Sequence, residues 1–71
     1  MTTRRNIEVY DFVAAFIEEH NYPPTLDEIC AAVGYASRSA AHNAVWALIA
    51  EGYLTGSPGR TLRLGALRPE E

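Results

Sequence analysis

Residues 23–52, PPTLDEICAAVGYASRSAAHNAVWALIAEG, decide how this chain folds. Thr25 stands before Leu26 with Glu28 three residues on, which is capping-box spacing: the hydroxyl accepts from the Glu28 backbone N–H and the carboxylate accepts from that of Thr25. A helix therefore starts at Leu26. Pro23 and Pro24 cannot continue a helix arriving from upstream, and each biases the residue before it toward extended geometry, so a boundary falls there. Within Leu26 to Val33 the apolar residues Leu26, Ile29, Cys30 and Val33 recur at three and four and make one stripe, and Gly34 follows where a left-handed residue ends a helix. Ser37 supplies a second N-cap, and Arg38 to Glu51 is rich in Ala before Gly52 offers a C-cap. A short helix, a tight turn and a longer helix make a helix-turn-helix.

On a wheel of about 3.6 residues per turn, Ala41, Ala44, Val45, Leu48 and, at the margin, Ile49 share the core side of the longer helix. The opposite side carries Ser39, Asn43, Trp46 and Ala50, flanked by His42 on one edge and by Ala40 and Ala47 on the other. A solvated helix shows charges outward, whereas these residues are short and hydrogen-bonding over the first two turns, which suits close approach to a base-pair edge. The alternative for the same face is a solvent-exposed Ala-rich helix with no partner.

Upstream, Thr2 or Thr3 caps a first helix running to about Glu19 or His20. Its apolar residues Ile7, Tyr10, Val13, Ala14 and Ile17 step by three and four, with Val9, Phe12 and Phe16 broadening the face, while Glu8, Asp11, Glu18 and Glu19 make a solvated side. Downstream, Tyr53-Leu54-Thr55 and Arg60-Thr61-Leu62-Arg63-Leu64 flank Gly56-Ser57-Pro58-Gly59, a hairpin with turn chemistry at its tip. Leu62 and Leu64 then share the face packed on the helices, with Thr61 and Arg63 outward and Arg60 beside the tip. A lone hairpin is marginal, so it lies against the helices as a wing. The fold class expected is mainly α with a small β-hairpin, a three-helix winged helix-turn-helix over residues 1–64, with a tail over 65–71.

Seventy-one residues make one small domain, and an apolar fraction of 48% argues for a packed globule. No window reaches the roughly 18 apolar residues of a membrane span and no signal-peptide core is present, so the expectation is a cytoplasmic protein with no membrane partner. The single cysteine excludes an internal disulfide; on the buried stripe, Cys30 reads as core. Net charge is −3, the wrong sign for a simple nucleic-acid footprint, but it is uneven: residues 1–37 balance at −4 and residues 38–69, with Arg38, Arg60, Arg63 and Arg68 against Glu51, at +3. Two His, one Cys and no acid paired with a base make no catalytic triad or metal set, so neither an enzyme nor a cofactor is expected.

From Val9 to Leu64 the sequence resembles the N-terminal DNA-binding domain of the LexA SOS repressor family. The resemblance rests on Pro23-Pro24-Thr25, Glu28-Ile29, Gly34-Tyr35, Ser37, Ala40-Ala41, Ala47-Leu48, Gly52 and a wing ending in Arg63-Leu64. It implies that the long helix reads the major groove from its N-terminal half, giving roles to Ser37, Ser39, Ala40, His42 and Asn43, with the wing near the phosphate backbone. His42 and Asn43 stand where the family carries an acidic pair, so its operator sequence does not carry over. The family's C-terminal Ser-Lys self-cleaving peptidase has no counterpart in these 71 residues, so self-cleavage does not follow.

The function expected is sequence-specific binding of double-stranded DNA by a repressor-type transcription regulator. Ser39, His42 and Asn43 would meet base edges, Ala40 a thymine methyl, and Arg38, Arg60, Arg63 and the backbone N–H groups of Ser39 and Ala40 the phosphates. His42 has three open roles: a base reader, a cation on phosphate, or a solvated side chain. Further partners are a second copy on a two-half-site operator or another protein. The alternative function is a protein-interaction module using Trp46, Ala47 and Ala50. For Trp46, the need of a small core for every aromatic makes a ring folded onto the wing or first helix the expectation, against a ring left exposed until a partner covers it.

Overall fold

Thr3 Oγ1 accepts from the Asn6 N–H at 3.1 Å and opens α1 (Arg4–His20). The computed structural model describes residues 3–59 and 61–69. α1 closes at Asn21, left-handed at φ 65°, whose N–H donates to the Ile17 carbonyl. After the prolines, both capping-box bonds form at the start of α2 (Leu26–Val33): the Glu28 N–H donates to Thr25 Oγ1 at 3.1 Å and the Thr25 N–H to Glu28 Oε1 at 2.8 Å. Gly34, at φ +88°, ends α2 in a conformation that costs a residue with a Cβ about 1–2 kcal/mol. Ser37 Oγ accepts from the Ala40 N–H at 3.4 Å and starts α3 (Arg38–Ala50).

The C-cap of α3 is Glu51, in right-handed geometry, rather than Gly52. The helix ends one residue early because Gly52 takes the left-handed place just beyond the cap. Its N–H returns to the Ile49 carbonyl and that of Tyr53 to the Leu48 carbonyl, the paired bonds of a Schellman motif.

All three helices meet in one core. Val9, Val13, Ile29, Ala41 and Val45 are wholly buried, with Leu48, Leu54 and Leu62 beside them. Val9, expected at the edge of the α1 face, is thus at its centre. Cys30 is only half-buried, and its thiol donates to the Ser37 carbonyl at 3.3 Å, linking α2 to the cap of α3. The Arg5 guanidinium stacks 5.1 Å from the Tyr35 ring centroid and ties the turn between α2 and α3 to α1.

The hairpin is shorter than its alternation suggested. β1 (Leu54–Thr55) pairs antiparallel with β2 (Arg63–Leu64), Leu54 opposite Leu64 and Thr55 opposite Arg63. Leu62 is 1% exposed, while Leu64, opposite the buried Leu54 and bordering Tyr10, Ala14 and Ile17 of α1, lies at the rim of the same face and is 41% exposed. Leu62 lies before the strand, its N–H turned to the Gly59 carbonyl at 3.2 Å. Leu54 takes the inward place beside Leu62. Thr61 Oγ1, level with the tip, accepts from the Ser57 N–H at 3.1 Å and lies 2.9 Å from Ser57 Oγ. Beyond β2 the chain still follows its partner, with the Gly65 N–H on the Tyr53 carbonyl and the Leu67 N–H on the Gly52 carbonyl.

Candidate nucleic-acid interface

With Ala41, Ala44, Val45 and Leu48 turned into the core, α3 presents Ser39, His42, Asn43, Trp46 and Ala50 outward, with Ala40 and Ala47 half-buried at the border. Ser37 and Arg38 are exposed at the amino end. Arg38, Ser39, His42 and Asn43 line, with Leu26 of α2, an open groove of about 250 Å³. A second groove of about 490 Å³ runs from Tyr22 and the two prolines past Asp27 and Arg38 to Pro58 and Gly59 at the wing tip. Leu26 and Arg38 belong to both, so the surface is continuous from the start of α3 to the wing.

Arg38 is not a free cation in this arrangement. Its Nε donates to Asp27 Oδ1 at 3.0 Å and its Nη2 to Asp27 Oδ2 at 2.9 Å, a two-bond fork between the starts of α2 and α3. The pair lowers the Asp27 carboxyl below its ordinary value and raises Arg38, in both cases first through the hydrogen bonds and then through charge. Asp27 and Arg38 stand at the starts of successive helices in the sequence, but it is the crossing of α2 and α3 that pairs them. The expectation that the Ala40 N–H meets phosphate is also changed, because that donor already caps onto Ser37.

Trp46 does not fold into the core. Trp46 is 42% exposed and lies outside the hydrophobic cluster, and its Nε1–H donates to His42 Nε2 at 3.1 Å. The two rings stand edge to face, centroids 6.2 Å apart. One helical turn separates the residues, so the spacing of four was legible, but their mutual hydrogen bond was missed. Arg63 is exposed on β2 opposite Thr55. Arg60, assigned to phosphate with it, lies outside the described residues. At the turn, burial raises the Tyr35 phenol above its ordinary value, partly offset by Arg5.

No group of three or more His, Cys, Asp and Glu among the described residues could hold a metal ion. Nor is any described helix long and apolar enough to cross a membrane.

Three helices, a tight turn and a paired hairpin against α3 define a winged helix-turn-helix domain. This chain belongs to the LexA DNA-binding domain family, whose model matches residues 1–62. It is 39% identical over 59 residues to a LexA repressor of Limosilactobacillus fermentum, covering 83% of this chain and 28% of that protein. A LexA repressor of Koribacter versatilis is 34% identical over 68 residues, or 96% of this chain and 32% of the relative. One from Ruminiclostridium cellulolyticum is 41% identical over 51 residues, covering 72% and 24%. The chain therefore spans a third or less of the length of these relatives.

Proposed function

We propose that this domain binds double-stranded DNA with sequence preference and acts as a repressor-type transcription regulator. The observation that carries this reading is the uncharged, hydrogen-bonding face of Ser39, His42 and Asn43 at the amino end of α3, exposed as one surface with the wing beside it. Family membership and the LexA repressor names of the relatives support it. In this reading the first two turns of α3 enter the major groove. Ser39, His42 and Asn43 meet base edges, Ala40 reaches a thymine methyl, and Arg63, with Arg60, holds the phosphate backbone. Ser37 fixes the start of the reading helix. Arg38 reaches phosphate only by leaving or sharing Asp27.

Selection of bound duplexes from a random library, followed by titration at two salt concentrations, tests the reading. The expected result is an enriched motif and a log–log salt slope of about −2 to −3 per bound subunit. A slope near zero overturns it.

The exposed Trp46 favours a second reading, a protein-interaction surface of Trp46, Ala47 and Ala50, taking a second copy on a two-half-site operator or another protein. Binding to another protein there survives high salt, whereas a second copy on an operator keeps the salt dependence of the DNA contacts.

A further inference from the structure

On the outward face of α3, one turn apart, the Trp46 Nε1–H donates to His42 Nε2. An indole N–H can only donate. The His42 Nε2 that receives it at 3.1 Å must therefore carry a lone pair, and in neutral imidazole the proton then resides on Nδ1. Free histidine side chains prefer the other tautomer, with the proton on Nε2. Nδ1 has no hydrogen-bond partner among the described residues, and His42 borders the groove of Ser39 and Asn43. The imidazole thus offers a fixed donor beside two side chains that can each donate or accept.

We propose that Trp46 is a positioning residue for sequence choice: it holds neutral His42 in the Nδ1–H form, so that His42 selects a base presenting an acceptor edge, guanine foremost. Guanine shows N7 and O6 in the major groove with no donor between them, whereas adenine sets its N6 amino group beside N7 and cytosine shows only a donor. Without the indole N–H the ring is released to the tautomer whose Nδ1 accepts, which tolerates adenine or cytosine amino groups. The sequence choice rests on the DNA-binding reading above. The tautomer does not.

Two measurements separate them, on the wild type, Trp46→Phe, which keeps an aromatic ring but lacks the donor, and His42→Ala. Nitrogen-15 correlation spectra of the imidazole, recorded at about pH 8, above the ordinary histidine value, read the tautomer directly in the DNA-free protein. Expected is a proton on Nδ1 in the wild type and a shift toward Nε2 in Trp46→Phe; a wild-type proton on Nε2 overturns the proposal. Selection from a random duplex library should then give one position with a guanine preference of about fivefold, the low end for a specific base contact. That preference is lost in His42→Ala and reduced to about twofold or re-assigned in Trp46→Phe, with other positions unchanged. A motif identical in Trp46→Phe and wild type overturns the proposal and leaves DNA binding standing. A wild type that enriches no motif removes the DNA reading and the guanine choice together, while the spectra still decide the tautomer.

Discussion

Asp27 and Arg38, eleven residues apart, close a two-bond fork across the turn between α2 and α3, with both side chains largely in solvent. An exposed pair of this kind contributes little to folding, since water and salt screen it. Its consequence lies in what Arg38 is kept from doing. A carboxylate occupies the Nε and Nη2 donors that a DNA phosphate would use, and it places a negative charge next to the groove of Ser39, His42 and Asn43.

Asp27→Asn is therefore expected to raise affinity for duplex DNA several-fold at low salt, about equally for all sequences. It should steepen the log–log salt slope by up to about 0.9, the contribution of one further phosphate contact. Equal slopes for the variant and the wild type would show that Arg38 either never reaches phosphate or reaches it without leaving Asp27.

Proton binding at Asp27 reports the same pair. The carboxyl is held below its ordinary value by Arg38, so the pair's stabilisation is present above the unfolded value and is lost as pH falls through the lower, folded one. Between about pH 5 and pH 8 the pair stays closed and contributes no pH dependence to folding or binding. In a carboxyl-carbon NMR titration the Asp27 midpoint should move upward in Arg38→Ala; an unmoved midpoint would mean the fork does not persist in solution.

Trp46→Ala should leave a folded domain. The ring lies outside the hydrophobic cluster, so its removal costs on the order of 1 kcal/mol, against about 3–5 for a buried Trp. Wild-type emission should be that of a solvent-facing indole and shift to shorter wavelength when a partner covers it. A melting transition lost in the variant would return Trp46 to the domain's own packing.

The helices were legible in residues 23–52 because each boundary there has a local cause: Thr25 with Glu28, Gly34, Ser37 and Gly52 act within a turn of the backbone they end. The buried set of α3 followed from periodicity for the same reason. What was not legible depends on how elements meet. Leu64 keeps the face expected of it, opposite Leu54 and beside α1, but a two-residue strand at the domain's edge leaves it only partly covered. Trp46 was drawn inward by the general cost of exposing an indole, whereas a polar partner one turn back satisfies its N–H on the surface. The Asp27–Arg38 fork depends on the crossing of α2 and α3, which no spacing within either helix encodes.

The wing offers a test that separates its shape from its charge. Gly56 has φ +87°, and a Cβ there would fall on the Thr61 backbone carbonyl, whereas Gly59, at φ +108°, has open space around its missing side chain. Gly59→Ala therefore meets backbone strain alone, about 1–2 kcal/mol, while Gly56→Ala adds a collision with a main chain that cannot swing aside. Opening the hairpin to relieve it pulls at Leu54 and Leu62, both 1% exposed, so Gly56→Ala should lower the melting temperature more than Gly59→Ala does. It also displaces Arg63 from its place opposite Thr55. On the DNA-binding reading, affinity then falls about equally for all duplexes, as it should in Arg63→Ala, which leaves the melting temperature near wild type and reduces the salt slope by about 1. Melting curves and salt titrations of the three variants check this. A Gly56→Ala protein that melts early yet binds DNA as the wild type does would mean that the wing serves the core and not the phosphate backbone.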